Sequence, residues 1–152
     1  MVEKQKWLKK AIEEQKKEVE DRKRYIKKTL PYFKPHVMND SYRNKIKRAE
    51  KKLKAEEVEL QRLQLKLKRG DELSRKKFQP LRKRILVNRR TELSKEINMH
   101  ERSFTTDKIF SKTARGEYYI EKARKSLDNS KNYLNKLKSE RSMIIEKLNN
   151  LQ

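Results

Sequence analysis

Cysteine is absent from the chain, which removes disulfide frameworks, thiolate zinc sites and cysteine nucleophiles in one step. Glycine occurs only twice, at Gly70 and Gly116, and proline only three times. That is too little punctuation for a many-turned β protein or a linker-rich chain, and two distant glycines cannot build a phosphate-cradling loop. No stretch of about 18 consecutive apolar residues exists to span a bilayer. The N-terminal MVEKQKWLKKAIEEQKK has neither the apolar run of a signal peptide nor the acid-poor composition of a transit peptide. These absences lead to the expectation of a soluble intracellular protein with no membrane partner, cytoplasm and nucleus being undistinguished. Lipid-surface binding is disfavoured as well, because basic helices that lie on membranes need a broad apolar face, and the apolar stripes here are narrow.

Chemistry-bearing residues are equally sparse. The two histidines, His36 and His100, stand in no metal-ligand spacing. His36 falls between Pro35 and Val37, and His100 on the apolar side of its helix, so both read as structural. The adjacent Tyr118 and Tyr119 lack the histidine cluster that a metal-dependent tyrosine nucleophile requires and read as packing residues. Glu13, Glu14 and Glu18 among lysines read as solvated ion pairs within a helix, each worth about 0.2–0.5 kcal/mol. No catalytic residue, cofactor or metal site is expected, and the chain reads as a non-enzyme.

What the chain has in abundance is charge. Of its 152 residues 43% are charged and 33% hydrophobic, and 44 basic side chains against 22 acidic ones leave a formal charge of +22. Such a composition is shared by disordered chains, and where a fold forms it demands that the apolar residues be gathered into seams. The excess is +5 over residues 1–30, 0 over 31–40, +7 over 41–70, +6 over 71–117 and +4 over 118–152. It is therefore a property of every helix rather than of a basic tail, and it attracts polyanions along the whole chain.

Periodicity decides against disorder. Tyr42, Ile46, Ala49, Leu53, Glu56, Leu60, Leu63 and Leu67 follow the alternating four-three spacing of a coiled-coil seam, with Glu56 as a polar intruder. Ile120, Ala123, Leu127, Ser130, Leu134, Leu137, Arg141, Ile144, Leu148 and Leu151 repeat it. A weaker stripe, Leu8, Ile12, Val19 and Ile26, is interrupted by Gln15 and Arg22. Pro31 and Pro35 stop the first helix. Asn39, Asp40 or Ser41 is placed to cap the second, Gly70 to end it, and Pro80 to open the third, in which Leu81, Ile85, Leu93 and Ile97 are candidates for burial.

The predicted fold is all-α: an elongated antiparallel helical hairpin or coiled-coil bundle of about four helices, residues 1–152 forming one unit. Helices are expected near 4–29, 41–69, 80–102 and 115–150, with connectors at 30–40, 70–79 and 103–114. A short strand is the alternative for residues 84–87, although no second strand is evident to pair with it. In the connector, Tyr32, Phe33, Val37 and Met38 are expected to plug the end of the bundle rather than dock a partner. An antiparallel register that sets Glu56 against Arg141 aligns Ile46 with Leu151, Leu53 with Ile144 and Leu63 with Leu134. A parallel homodimer is the competing arrangement, so homo-oligomers through the heptad seams stay open.

A strongly basic stretch later in the chain contains no acid. RKKFQPLRKRILVNRR, residues 75–90, carries Arg75, Lys76, Lys77, Arg82, Lys83, Arg84, Arg89 and Arg90. A helix kept soluble by charge mixes signs, as residues 13–24 do and this stretch does not. These eight side chains are the candidate nucleic-acid contacts. The expected function is low-specificity binding of DNA or RNA through phosphates, since no base-reading motif is present. The alternative is a structural assembly or scaffold protein whose coiled coils bind an acidic protein surface of a capsid, polymerase or ribosome. The bland alternative, charge that serves only solubility, remains beside them.

Overall fold

The computed structural model describes residues 5–151, apart from the side chain of Phe110. Lys4, where the first helix is expected to begin, lies outside the described residues. Four helices follow one another: α1 (Lys6–Arg24), α2 (Asp40–Lys68), α3 (Arg75–Thr113) and α4 (Glu117–Asn149), with a π-helical turn, Tyr25–Thr29, continuing α1. The described residues contain no strand, and 84–87 is helical. The fold class is all-α. The chain divides into two compact units, the boundary falling between Val87 and Asn88.

In the first unit α1 and α2 run antiparallel. The Gln5 amide donates to the Leu67 carbonyl at 3.3 Å, the Gln15 amide to the Glu56 carbonyl at 3.1 Å, and the Tyr42 hydroxyl to the Leu30 carbonyl at 3.0 Å. Leu8, Ala11, Ile12, Leu63 and Phe78 form a buried cluster flanked by Trp7, Leu60, Leu67, Leu73 and Leu81. Each fully buried Leu or Phe contributes about 1.5–3 kcal/mol relative to exposure. The heptad stripe of α2 is the face turned inward, with Tyr42, Ala49, Glu56 and Leu63 buried.

The two interruptions in the α1 stripe prove to be part of the seam. Gln15 and Arg22 are buried with Leu8, Ile12 and Val19. The Arg22 guanidinium donates to Glu56 Oε1 through Nη2 at 3.1 Å and Nε at 3.3 Å, and the two side chains are only 5% and 9% exposed. This corrects the expected register, which sets Glu56 against Arg141. A buried carboxylate needs a cation and hydrogen bonds, and α1, joined to α2 by a short connector, supplies both.

The helix ends are built locally. Asn39 Oδ1 accepts from the Tyr42 backbone N–H at 2.8 Å, capping α2. At its other end the Gly70 N–H reaches the Leu67 carbonyl at 3.1 Å and the Asp71 N–H the Lys66 carbonyl at 2.9 Å, a Schellman closure that Gly70 permits with φ of 79°. The π-helical turn closes with the Leu30 N–H on the Tyr25 carbonyl at 2.9 Å. In the following connector Tyr32, Val37 and Met38 are exposed, at 53%, 79% and 37%. They do not plug the bundle as expected; Thr29 and Leu30, 0% and 2% exposed, occupy the buried positions instead.

α3 differs from its predicted extent at both ends. It starts at Arg75, five residues ahead of Pro80, because Ser74 Oγ accepts from the Lys77 backbone N–H at 3.3 Å and Phe78, 1% exposed, anchors the first turn. Pro80 then sits inside the helix, where it lacks the N–H that would reach the Lys76 carbonyl. At the far end residues 103–113, expected as connector, are helical. Their Thr105, Thr106 and Thr113 hydroxyls donate back to the Glu101, Arg102 and Ile109 carbonyls at 3.1–3.2 Å, so residues that usually favour turns are satisfied within a helix.

The second unit pairs the rest of α3 with α4, again antiparallel. Lys138 Nζ lies 3.0 Å from Glu101 Oε1, and the Ser130 hydroxyl donates to Asp107 Oδ2 at 2.9 Å. Leu93, Ile97, Ala123, Leu134, Leu137 and Ile144 are buried. His100, 8% exposed, stacks edge-on against Tyr133 with centroids 4.8 Å apart. Of the residues placed on the α4 seam, Ile120 is 43% exposed and so stands outside this core.

Candidate nucleic-acid interface

The first part of α3 belongs to the first unit and is held by its apolar letters. Phe78, Ile85 and Leu86 are 1%, 1% and 0% exposed, so the cations between them are carried by an anchored helix. Arg75, Lys76, Lys77, Lys83 and Arg84 are exposed. Among the described residues no carboxylate pairs with Arg75, Lys76, Lys77 or Lys83.

The other candidates differ in place. Arg82 is half-buried, its Nε 3.9 Å from Glu14 Oε1 and its guanidinium 5.9 Å from the Phe78 ring centroid. Arg84 keeps 66% of its side chain exposed while lying 3.9 Å from Glu59. Glu59 itself is held by Arg62, at 2.6 and 3.1 Å. That hydrogen bond, outweighing partial burial and assisted by the charges of Arg62, Arg84 and Lys66, lowers the Glu59 carboxyl below its usual range. The same bond raises Arg62.

Arg89 and Arg90 belong to the second unit. Arg90 is exposed, but Arg89 is only 8% exposed, which corrects the expectation that it faces solvent. Its position four residues after Ile85 and four before Leu93 puts it on the buried face of α3. The long aliphatic stem of arginine allows such a place. Arg89 is not available to a phosphate in this structure.

Sequence reasoning missed a cationic corner around Trp7. The Trp7 ring packs on Phe78 with centroids 5.1 Å apart. Lys10 Nζ lies 4.9 Å, Lys6 Nζ 5.3 Å and Arg75 Cζ 5.8 Å from its centroid. The lysines beside the single tryptophan were visible in the sequence, whereas the approach of Arg75, 68 positions away by number, was not.

Among the described residues no group of three or more His, Cys, Asp or Glu side chains is placed to hold a metal ion. No helix there is long and apolar enough to cross a membrane. Comparison of the chain with protein-family models, curated proteins and solved structures finds no match to any of them.

Proposed function

We propose that the chain is a non-enzymatic protein that binds nucleic acid through its phosphates with little sequence preference. The observation that carries this reading is the start of α3: Arg75, Lys76, Lys77 and Lys83 project from an anchored helix without acidic partners among the described residues. Like charges held together in this way repel, and a polyanion relieves that repulsion while releasing its condensed counterions. Arginine adds a planar fork that grips phosphate with two parallel hydrogen bonds. Phosphates repeat along any sequence, so the contacts position the nucleic acid without reading it.

The test is binding to labelled DNA and RNA across a salt series. Changing Lys76, Lys77, Lys83 and Arg84 together to Gln should leave helicity intact and weaken binding. The slope of log affinity against log salt should flatten by about 0.7–0.9 for each phosphate that is no longer neutralised. A control set, Lys122, Arg124, Lys131 and Lys136, all exposed on α4, should do distinctly less. Equal weakening by both sets would assign binding to total charge and remove α3 from the interface.

One observation favours the second reading, a scaffold that uses coiled-coil contacts. Val58 and Leu65, seven residues apart on α2, are 60% and 51% exposed, an apolar spacing suited to a partner helix. Sedimentation of nuclease-treated protein separates the two readings: a discrete oligomer indifferent to DNA and RNA at low salt supports the scaffold.

A further inference from the structure

We infer that Lys6, Lys10 and Arg75 form, around Trp7, a discrete seat for phosphate oxyanions. The inference deepens the proposed function and rests on it for the nucleic-acid source of those phosphates.

The three cations come from two helices, and each lies within 6 Å of one ring centroid. No two are therefore more than twice that distance apart. None pairs with a carboxylate among the described residues, and neither α1 nor α3 has an acid in its first turn. A cation over an indole face at an exposed site gains about 0.5–1 kcal/mol, which explains why each side chain leans on the ring. It does not neutralise them, so the corner remains a cluster of like charges.

The geometry also indicates how an anion is held. Phe78 packs against the ring at 5.1 Å, and Phe78 is buried in the core at 1% exposure, so Trp7 is an anchored floor beneath exposed cations. A base stacking on the indole would have to displace the ammonium and guanidinium groups that lean over it. A phosphate needs only to draw them inward, exchanging cation–π contacts for charge-assisted hydrogen bonds, which are stronger. The corner therefore fits phosphate oxygens rather than bases, and it should take single and double strands alike. Free polyphosphate offers the same chemistry.

Trp7 is the only tryptophan, so its emission reports on this corner alone. The full chain is titrated at low salt with inorganic tripolyphosphate, with a short single-stranded oligonucleotide and with a duplex of the same length. Sodium chloride at matched ionic strength serves as the blank. The expected result is a saturable change in Trp7 emission with all three phosphate ligands and none with the blank. Changing Lys6, Lys10 and Arg75 together to Gln should weaken all three by about tenfold or more, as removal of charge-assisted hydrogen bonds requires. Changing Lys45, Lys47 and Lys51 on α2 to Gln should have a much smaller effect. Labelled-oligonucleotide anisotropy follows binding independently of Trp7.

Nucleic acid that binds by anisotropy without moving Trp7 emission overturns the corner and leaves the proposed function standing. Tripolyphosphate that changes the emission while nucleic acid fails to bind keeps the corner, as a free-polyphosphate site, and overturns the proposed function. Emission unmoved by every ligand overturns the corner, and equal weakening by the two triple variants does the same. Should the first triple variant lose helicity, the unmodified protein's titrations still decide the outcome.

Discussion

Each unit holds an ion pair between antiparallel helices, and these two pairs differ in burial. In the first, Arg22 and Glu56 meet at 3.1 Å with side chains 5% and 9% exposed. In the second, Lys138 and Glu101 meet at 3.0 Å with side chains 43% and 45% exposed. Similar distances carry different weights. An exposed pair is screened and typically contributes about 0.2–1 kcal/mol. A buried pair yields little net stability against an apolar replacement, yet losing one member strands the other and costs about 3–5 kcal/mol. The buried pair is thus a device for alignment: an α1–α2 register slipped by one turn would leave Glu56 against an apolar side chain such as Val19.

The units differ in charge as well. Residues 1–87 hold 29 basic against 13 acidic side chains, a net of +16, whereas residues 88–152 hold 15 against 9, a net of +6. The unit that holds the Arg22–Glu56 pair also carries the larger net positive charge. It contains both the exposed run at the start of α3 and the Trp7 corner.

The largest expected effect comes from separating Arg22 from Glu56. Arg22→Ala should destabilise the first unit by about 3–5 kcal/mol, seen as an earlier denaturant midpoint in Trp7 emission. Replacing both residues by Met should recover most of that stability. Glu56→Lys with Arg22→Glu should recover part of it by charge reversal, while Glu56→Lys with Arg141→Glu should recover none. If the Arg22 and Glu56 changes prove additive, the pair is not coupled and the contrast between the two pairs collapses.

A smaller effect is expected from the exposed pair. Lys138→Ala or Glu101→Gln should change stability by less than about 1 kcal/mol, measured by hydrogen exchange along α3 and α4, and added salt should erase the difference. A destabilisation as large as that from Arg22→Ala would show that exposure is not what separates the two pairs.

The smallest effect is a pH dependence. Glu59 has a lowered pKa in the fold, caused first by its hydrogen bond with Arg62. Its contribution is therefore fully present above the ordinary carboxylate pKa and is lost as the pH falls through the lowered value. Because Arg62 is largely exposed, the loss should be only about 0.2–1 kcal/mol. In acid titrations of stability, Glu59→Gln should remove that part of the decline and leave the rest.

Much of the architecture was legible. The four-three spacing from Tyr42 to Leu67 marks the buried face of α2, and Asn39 and Gly70 stand where α2 is capped and closed. The stretch 103–113 misled because its serines and threonines favour turns as readily as they bond back onto a helix. The start of α3 misled because Pro80 suits a first turn, whereas burial of Phe78 extended the helix before it. Of the candidate site, the exposed cations Arg75, Lys76, Lys77, Lys83, Arg84 and Arg90 could be named from composition, since an acid-free run has no local partner. Arg89 could not be set apart from Arg90, because the stem of an arginine fits either face of a helix.

The sequence by itself determined the class and the stripes. Few glycines and prolines, abundant helix formers and heptad spacing leave an all-α chain, and they single out Gln15, Arg22, Glu56 and Arg141 as polar residues on apolar faces. Only the tertiary structure decided which faces meet. A heptad stripe states that a face must be covered without naming its cover, so Glu56 could be matched to Arg141 as readily as to Arg22. The short connector after α1 laid that helix back along α2 and settled the choice. The same packing brought Arg75 to Trp7, a meeting of distant residues that no local pattern encodes.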